Sequence, residues 1–77
     1  MDRHERTLIV YDRETGEESF FSWDSPDIPR RGEYINFRAD GIRLSETLCV
    51  WEIRHDSFWL DDASILTKTL IYAKVVD

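Results

Sequence analysis

His55-Asp56-Ser57 sets the three side-chain types of a nucleophilic triad side by side. A triad needs nucleophile, base and orienting carboxylate to converge on one reacting atom. Three consecutive residues cannot converge in that way, so the run reads as the polar end of a strand and the turn after it. The other histidine, His4, lies in a charged stretch, Met1 to Arg6, that is expected to fray. No spacing of His, Asp and Glu has the pattern of a metal-ligand set. Cys49 is the only cysteine, which excludes a disulfide within the chain. It alternates with Trp51 and Ile53 and is expected to be an inert core thiol. Glu14, Glu17 and Glu18 surround a turn, and Asp61-Asp62 stand at a cap, where carboxylates are at home without a catalytic task. The glycines, three in all, are too scattered to cradle a phosphate. The expectation is a protein without enzymatic activity, cofactor or metal.

Charge narrows the partners. Ten Lys and Arg stand against sixteen Asp and Glu, a formal net charge of −6. Non-specific nucleic-acid binding draws most of its affinity from phosphate neutralisation, and an anionic membrane also selects basic surfaces. Neither is expected here. The acids are dispersed and interleaved with arginines, which reads as a solubilising surface. The sharper alternative is an acidic decoy for a nucleic-acid-binding enzyme. No stretch reads as a signal or a membrane span, because no apolar run is longer than Leu8 to Tyr11. A cytoplasmic protein is expected.

The elements that must carry these residues are strands. At 77 residues with 42% hydrophobic content the chain makes one small globular domain, residues 1–77. A chain of this length buries only about 60% of its unfolded surface, so its stability calls for oligomerisation or a very well-packed aromatic core. Helical periodicity is nearly absent. Short runs of β-branched and aromatic residues recur between Gly, Pro, Asp and Ser clusters. Thr7 to Tyr11 and Glu18 to Trp23 form a hairpin over a loop in which Gly16 takes positive φ. A proline loop, residues 24–32, leads to Tyr34 to Arg38, with Ile35 and Phe37 on one face. Ala39-Asp40-Gly41 is a tight turn before a short strand, Ile42 to Leu44. Thr47 to His55 is the longest strand signal, with Cys49, Trp51 and Ile53 on one face and Leu48 and Val50 on the other. After a polar break, Phe58-Trp59-Leu60 is a short apolar piece, and Asp61 caps one helical turn through Ile65. Thr67 to Val76 closes the fold.

Ile28-Pro29-Arg30-Arg31-Gly32-Glu33-Tyr34-Ile35 resembles the Pro-x-x-Gly-acidic lead-in to a strand in SH3-like small barrels. The resemblance covers these eight residues strictly and 28–55 loosely. It implies a fold and no activity, since such barrels host many unrelated functions. With the strand pattern it sets the expected fold class: all-β, a small antiparallel SH3-like barrel or curled sheet of five or six strands, with at most one short helical turn.

Where alternation fails, function enters. Three strands are apolar on both faces over part of their length: Leu8 and Val10 against Ile9 and Tyr11, Cys49 and Trp51 against Leu48 and Val50, Ile71 and Ala73 against Leu70 and Tyr72. A sheet wetted on one side alternates apolar and polar. The second face therefore needs cover, from the chain itself, from a second copy or from another protein. Phe21, Trp23, Phe37 and Trp51 are read as core. Aromatic rows can also stack bases, with Arg30, Arg31, Arg38, Arg43 and Arg54 available to line a groove. The aromatics and arginines the core needs least are Trp59, Phe58, Arg30, Arg31 and Tyr34, and these are the candidate binding residues. The leading expectation is a protein–protein interaction module, homodimeric, of the kind encoded as a small free-standing bacterial or phage gene. The alternatives are the acidic decoy and a small-molecule binder at a dimer seam.

Overall fold

Residues 2–12, 14–39 and 44–76 are described by a computed structural model. Local chemistry sets its reversals. Asp12 accepts the Gly16 amide at 2.8 Å on its carbonyl and the Glu14 amide at 2.9 Å on its carboxylate, and Gly16 sits at φ 73° as expected. This loop joins β1 (Arg3–Tyr11) to β2 (Glu18–Ser22). Ahead of β3 (Tyr34–Ala39), the Glu33 amide donates to the Arg30 carbonyl at 3.0 Å with Gly32 at φ 91°. That is a type II turn, whose third position requires positive φ and so selects glycine.

β4 (Leu44–Trp59) and β5 (Ile65–Val75) form the long hairpin. Its turn is not helical. The Ala63 amide donates to the Leu60 carbonyl at 3.0 Å, and Ala63 then takes φ 64°. This is a type I turn followed by a left-handed residue, the three-residue hairpin loop. Asp62, rather than Asp61, organises it by accepting the Ser64 amide at 3.1 Å. The expected helical turn through Ile65 is thereby replaced, and Ile65 already belongs to β5. The expected break at Asp56 and Ser57 is also absent. β4 runs through it to Trp59, because Asp56 pairs with Lys68 and Ser57 with Thr67. β1 likewise begins at Arg3, so His4 is a paired strand residue opposite Thr67 instead of a frayed terminus. The expected turn at Asp40-Gly41 and strand residues Ile42 and Arg43 lie outside the described residues.

The strands make one five-stranded sheet in the order β2-β1-β5-β4-β3. Three of the four strand pairings are antiparallel, but β1 and β5 pair in parallel, so the sheet is mixed where a purely antiparallel one was expected. A parallel pair requires a long crossover, here the whole of β2 to β4. The sheet curls into a half-barrel. Its edge strands β2 and β3 do not pair, yet Phe21 and Phe37 meet on the inside with ring centroids 4.8 Å apart.

The hollow of the curl is the core. Leu8 and Val10 of β1, Leu48 and Val50 of β4, and Ile71 and Ala73 of β5 are buried there. Phe21, Trp23, Ile28, Ile35, Phe37 and Ile53 pack against them. The β2–β3 connection packs Trp23 and Ile28 against this core, with the Trp23 indole N–H donating to the Asp27 carbonyl at 3.0 Å. The face assignment for β3 stands: Ile35 and Phe37 turn inward, while Tyr34, Asn36 and Arg38 are exposed.

Candidate interaction surface

One extra residue in β4 resets which of its side chains face the core. Leu48 pairs with Val75 and Val50 with Ala73, both turned into the core. The register then slips between Val50 and Glu52, so that Glu52 faces Tyr72 and Ile53 faces Ile71. This is a β-bulge with Trp51 as the unpaired residue. It changes the strand's phase: even positions point inward before it, odd positions after it. Because Leu48 and Val50 face the core, Trp51 lies on the outer face, 46% exposed, and the expectation that it is core is overturned. Cys49 is also displaced from the expected core. It lies half-buried on the outer face, between Tyr34 and Lys74 in the register.

The convex face follows from the pairing. Phe20 faces Ile9, Ile9 faces Tyr72, and Trp51 leans on Tyr72 with centroids 5.4 Å apart at 48°. Phe20 is 66% exposed, whereas Ile9, between Phe20 and Tyr72, is 5% exposed although it turns away from the core. The next row along the strands reads Glu18, Tyr11, Lys74, Cys49, Tyr34. Phe20, Trp51, Tyr72, Tyr11 and Tyr34 therefore share one outer patch across all five strands. Its charges alternate in sign, with Glu18 near Lys74, and Glu5 beside Lys68 beside Asp56. An acidic face is not assembled on this side.

The candidate binding residues separate into three places. Tyr34, 68% exposed, belongs to the convex patch. Phe58 and Trp59, the latter 78% exposed, stand at the far end of β4. That is about 30 Å along the strand from the row of Tyr34 and Cys49. Lys68 Nζ lies 5.8 Å from the centroid of Phe58. Arg30 and Arg31 are exposed on the type II turn before β3, and Arg43 lies outside the described residues. Sequence reasoning missed Phe20 and Trp51 as surface residues. Phe20 beside Phe21 carried a usable signal, since neighbours on a strand take opposite faces and only one of the two can be core.

The inner face beyond the core is polar. Arg6, Thr69 and His55 form one row there, and His4, Thr67 and Ser57 the next. His55 Nδ1 lies 3.1 Å from Oγ1 of the buried Thr69. Asp56 points to the opposite face, so the three triad residue types are split across the sheet. Among the described residues no group of three His, Cys, Asp or Glu is placed to hold a metal ion. No helix there is long and apolar enough to cross a membrane.

These features define a small all-β protein with a curled mixed sheet, a core in its hollow and aromatics on its back. Comparison with known protein families, curated proteins and solved structures returned no match.

Proposed function

We propose that the protein is a non-enzymatic protein–protein interaction module, a small cytoplasmic barrel of SH3-like type that binds through its convex face. The observation that carries this reading is the outer patch of Phe20, Trp51, Tyr72, Tyr11 and Tyr34, four of whose residues are exposed large hydrophobics on different strands. Trp and Tyr dominate the energetics of protein interfaces, and they do so best when flanked by a mixed polar rim. Glu18 and Lys74 supply that rim. The alternating charges favour a protein partner over a nucleic acid, which would need a continuous basic groove. They also disfavour the decoy reading, which needs acids gathered together.

The test is a selection of displayed peptides on the intact protein, with isothermal titration of the recovered sequences against a Phe20→Ser, Tyr34→Ser variant. The expected result is a loss of affinity of tenfold or more in a variant that keeps its circular dichroism. Equal affinity for both proteins would reject the convex face. Quenching of Trp fluorescence by single-stranded oligonucleotides at physiological salt would replace the reading with base stacking.

A further inference from the structure

β4 leaves part of one edge without a partner strand. β3 pairs with it only as far as Tyr34 opposite Cys49. The ladder on that side ends where Gly32 donates to the Val50 carbonyl at 2.7 Å and Val50 donates to the Glu33 carbonyl at 2.9 Å. Among the described residues nothing pairs with that side of β4 from Glu52 to Trp59.

The hydrogen-bond parity tells which groups are left free. The Val76 amide donates to Thr47 at 2.9 Å, so the next hydrogen-bonded pair is Cys49 with Lys74. Past the bulge the alternation continues with Glu52 and Tyr72, Arg54 and Leu70, Asp56 and Lys68, and Phe58 and Leu66. Ile53, His55, Ser57 and Trp59 therefore aim N–H and C=O away from β5. The Ile53 amide agrees, since it bonds the side chain of its own neighbour Glu52 at 3.2 Å. Arg54, His55, Ser57, Phe58 and Trp59 are all exposed. An open edge is a template for another strand unless it is blunted by proline, lysine or unpaired charge. This edge has no proline and no lysine, and its two central charges, Arg54 and Asp56, are opposite in sign and two residues apart.

We infer that this edge pairs antiparallel with the same edge of a second copy, about a two-fold axis at His55. In that register Arg54 faces Asp56 of the partner subunit, and Asp56 faces the partner subunit's Arg54. The charge row on the outer face then runs Glu5, Lys68, Asp56 and the partner's Arg54, alternating in sign throughout. An axis one residue earlier sets Arg54 against Arg54, and one residue later sets Asp56 against Asp56. Like charges directly opposite destabilise a strand pair, and opposite charges support it. An axis at Ser57 leaves Asp56 opposite Phe58. The two-fold axis stands perpendicular to the sheet, so both convex patches end on the same side, and the dimer presents them together. The inference is independent of what those patches bind.

Analytical ultracentrifugation of the full chain tests it. The wild type sediments as a dimer. Arg54→Asp and Asp56→Arg each replace two attractive pairs with two repulsive ones, raising the dissociation constant by about tenfold or more. Mixing those two variants restores a dimer, because each supplies the charges the other lacks. Ser57→Pro removes an outward amide without touching the β5 ladder and gives a folded monomer that still binds convex-face peptides. A monomeric wild type overturns the inference, as does a dimer indifferent to all three substitutions. A mixture that stays monomeric overturns the register.

Discussion

Trp51 and Tyr72 rest on each other on the outside of the sheet, 5.4 Å between ring centroids, at a bulge that leaves Trp51 without a partner in β5. Had β4 kept a regular alternation beyond Val50, Ile53 would share the outer face with Trp51 and be lost to the core. With the bulge, Val50 and Ile53 both reach the hollow and the indole between them turns to solvent.

That geometry predicts unequal costs for two neighbouring truncations. Leu48→Ala empties a fully buried site and costs about 2–5 kcal/mol. Trp51→Ala loses mainly its contact with Tyr72, worth about 1 kcal/mol. Urea denaturation of both variants decides the matter. Equal destabilisation would return Trp51 to the core.

The bulge is also where legibility in the sequence ends. Leu48, Cys49, Val50 and Trp51 are four apolar residues in succession, so no polar position marks the strand's phase. By contrast β3 alternates Ile35 and Phe37 with Asn36 and Arg38, and its faces are readable. Gly16 and Gly32 are readable too, since each turn demands positive φ. The parallel pairing of β1 with β5 joins the two ends of the chain and leaves no local trace. Phe58 and Trp59 were detectable as surplus aromatics beside a turn. Their place on an extension of β4 was hidden, because Asp56 and Ser57 look like a break when the distal half of the sheet is in fact polar inside.

Closure of the curl predicts a coupling. Phe21 and Phe37 belong to the two edge strands, and their rings meet across a gap that no backbone pairing spans. A double-mutant cycle with Phe21→Leu and Phe37→Leu is expected to return an interaction energy of about 0.5–1.5 kcal/mol. Additive effects would mean that the edges are held apart in solution.

Ala63 predicts a stabilising substitution. Its φ of 64° places a Cβ where an L-residue is disfavoured by about 1–2 kcal/mol. Glycine removes that strain and costs about 0.4–1 kcal/mol through the greater freedom of the unfolded chain. Ala63→Gly therefore gains about 0.5–1 kcal/mol and raises Tm by about 3–6 °C in a domain of this size. A lowered Tm in differential scanning calorimetry would show that this turn does not hold Ala63 in the left-handed region.

The same turn predicts a titration. Asp62 is held below its ordinary carboxyl value of 3.8, first by the Ser64 hydroxyl, then by the Ser64 amide, with Arg3 adding a weaker attraction. Hydrogen bonds that favour the charged form lower a carboxyl pKa. A folded value below the unfolded one means that the native state holds fewer protons in that interval. Asp62 thus contributes stability that is fully present above its unfolded pKa, near 3.9, and is lost as pH falls through the lower folded value. The side chain is open to solvent, so the contribution is small, but its titration is easily read. Carbon-detected NMR of the Asp62 carboxyl is expected to give a midpoint below 3.8, and Ser64→Ala to move it upward. An Asp62 that titrates at its ordinary value in the wild type would mean that the Ser64 contacts do not persist. The turn that positions the start of β5, and with it the register of the β4 edge, would then need another anchor.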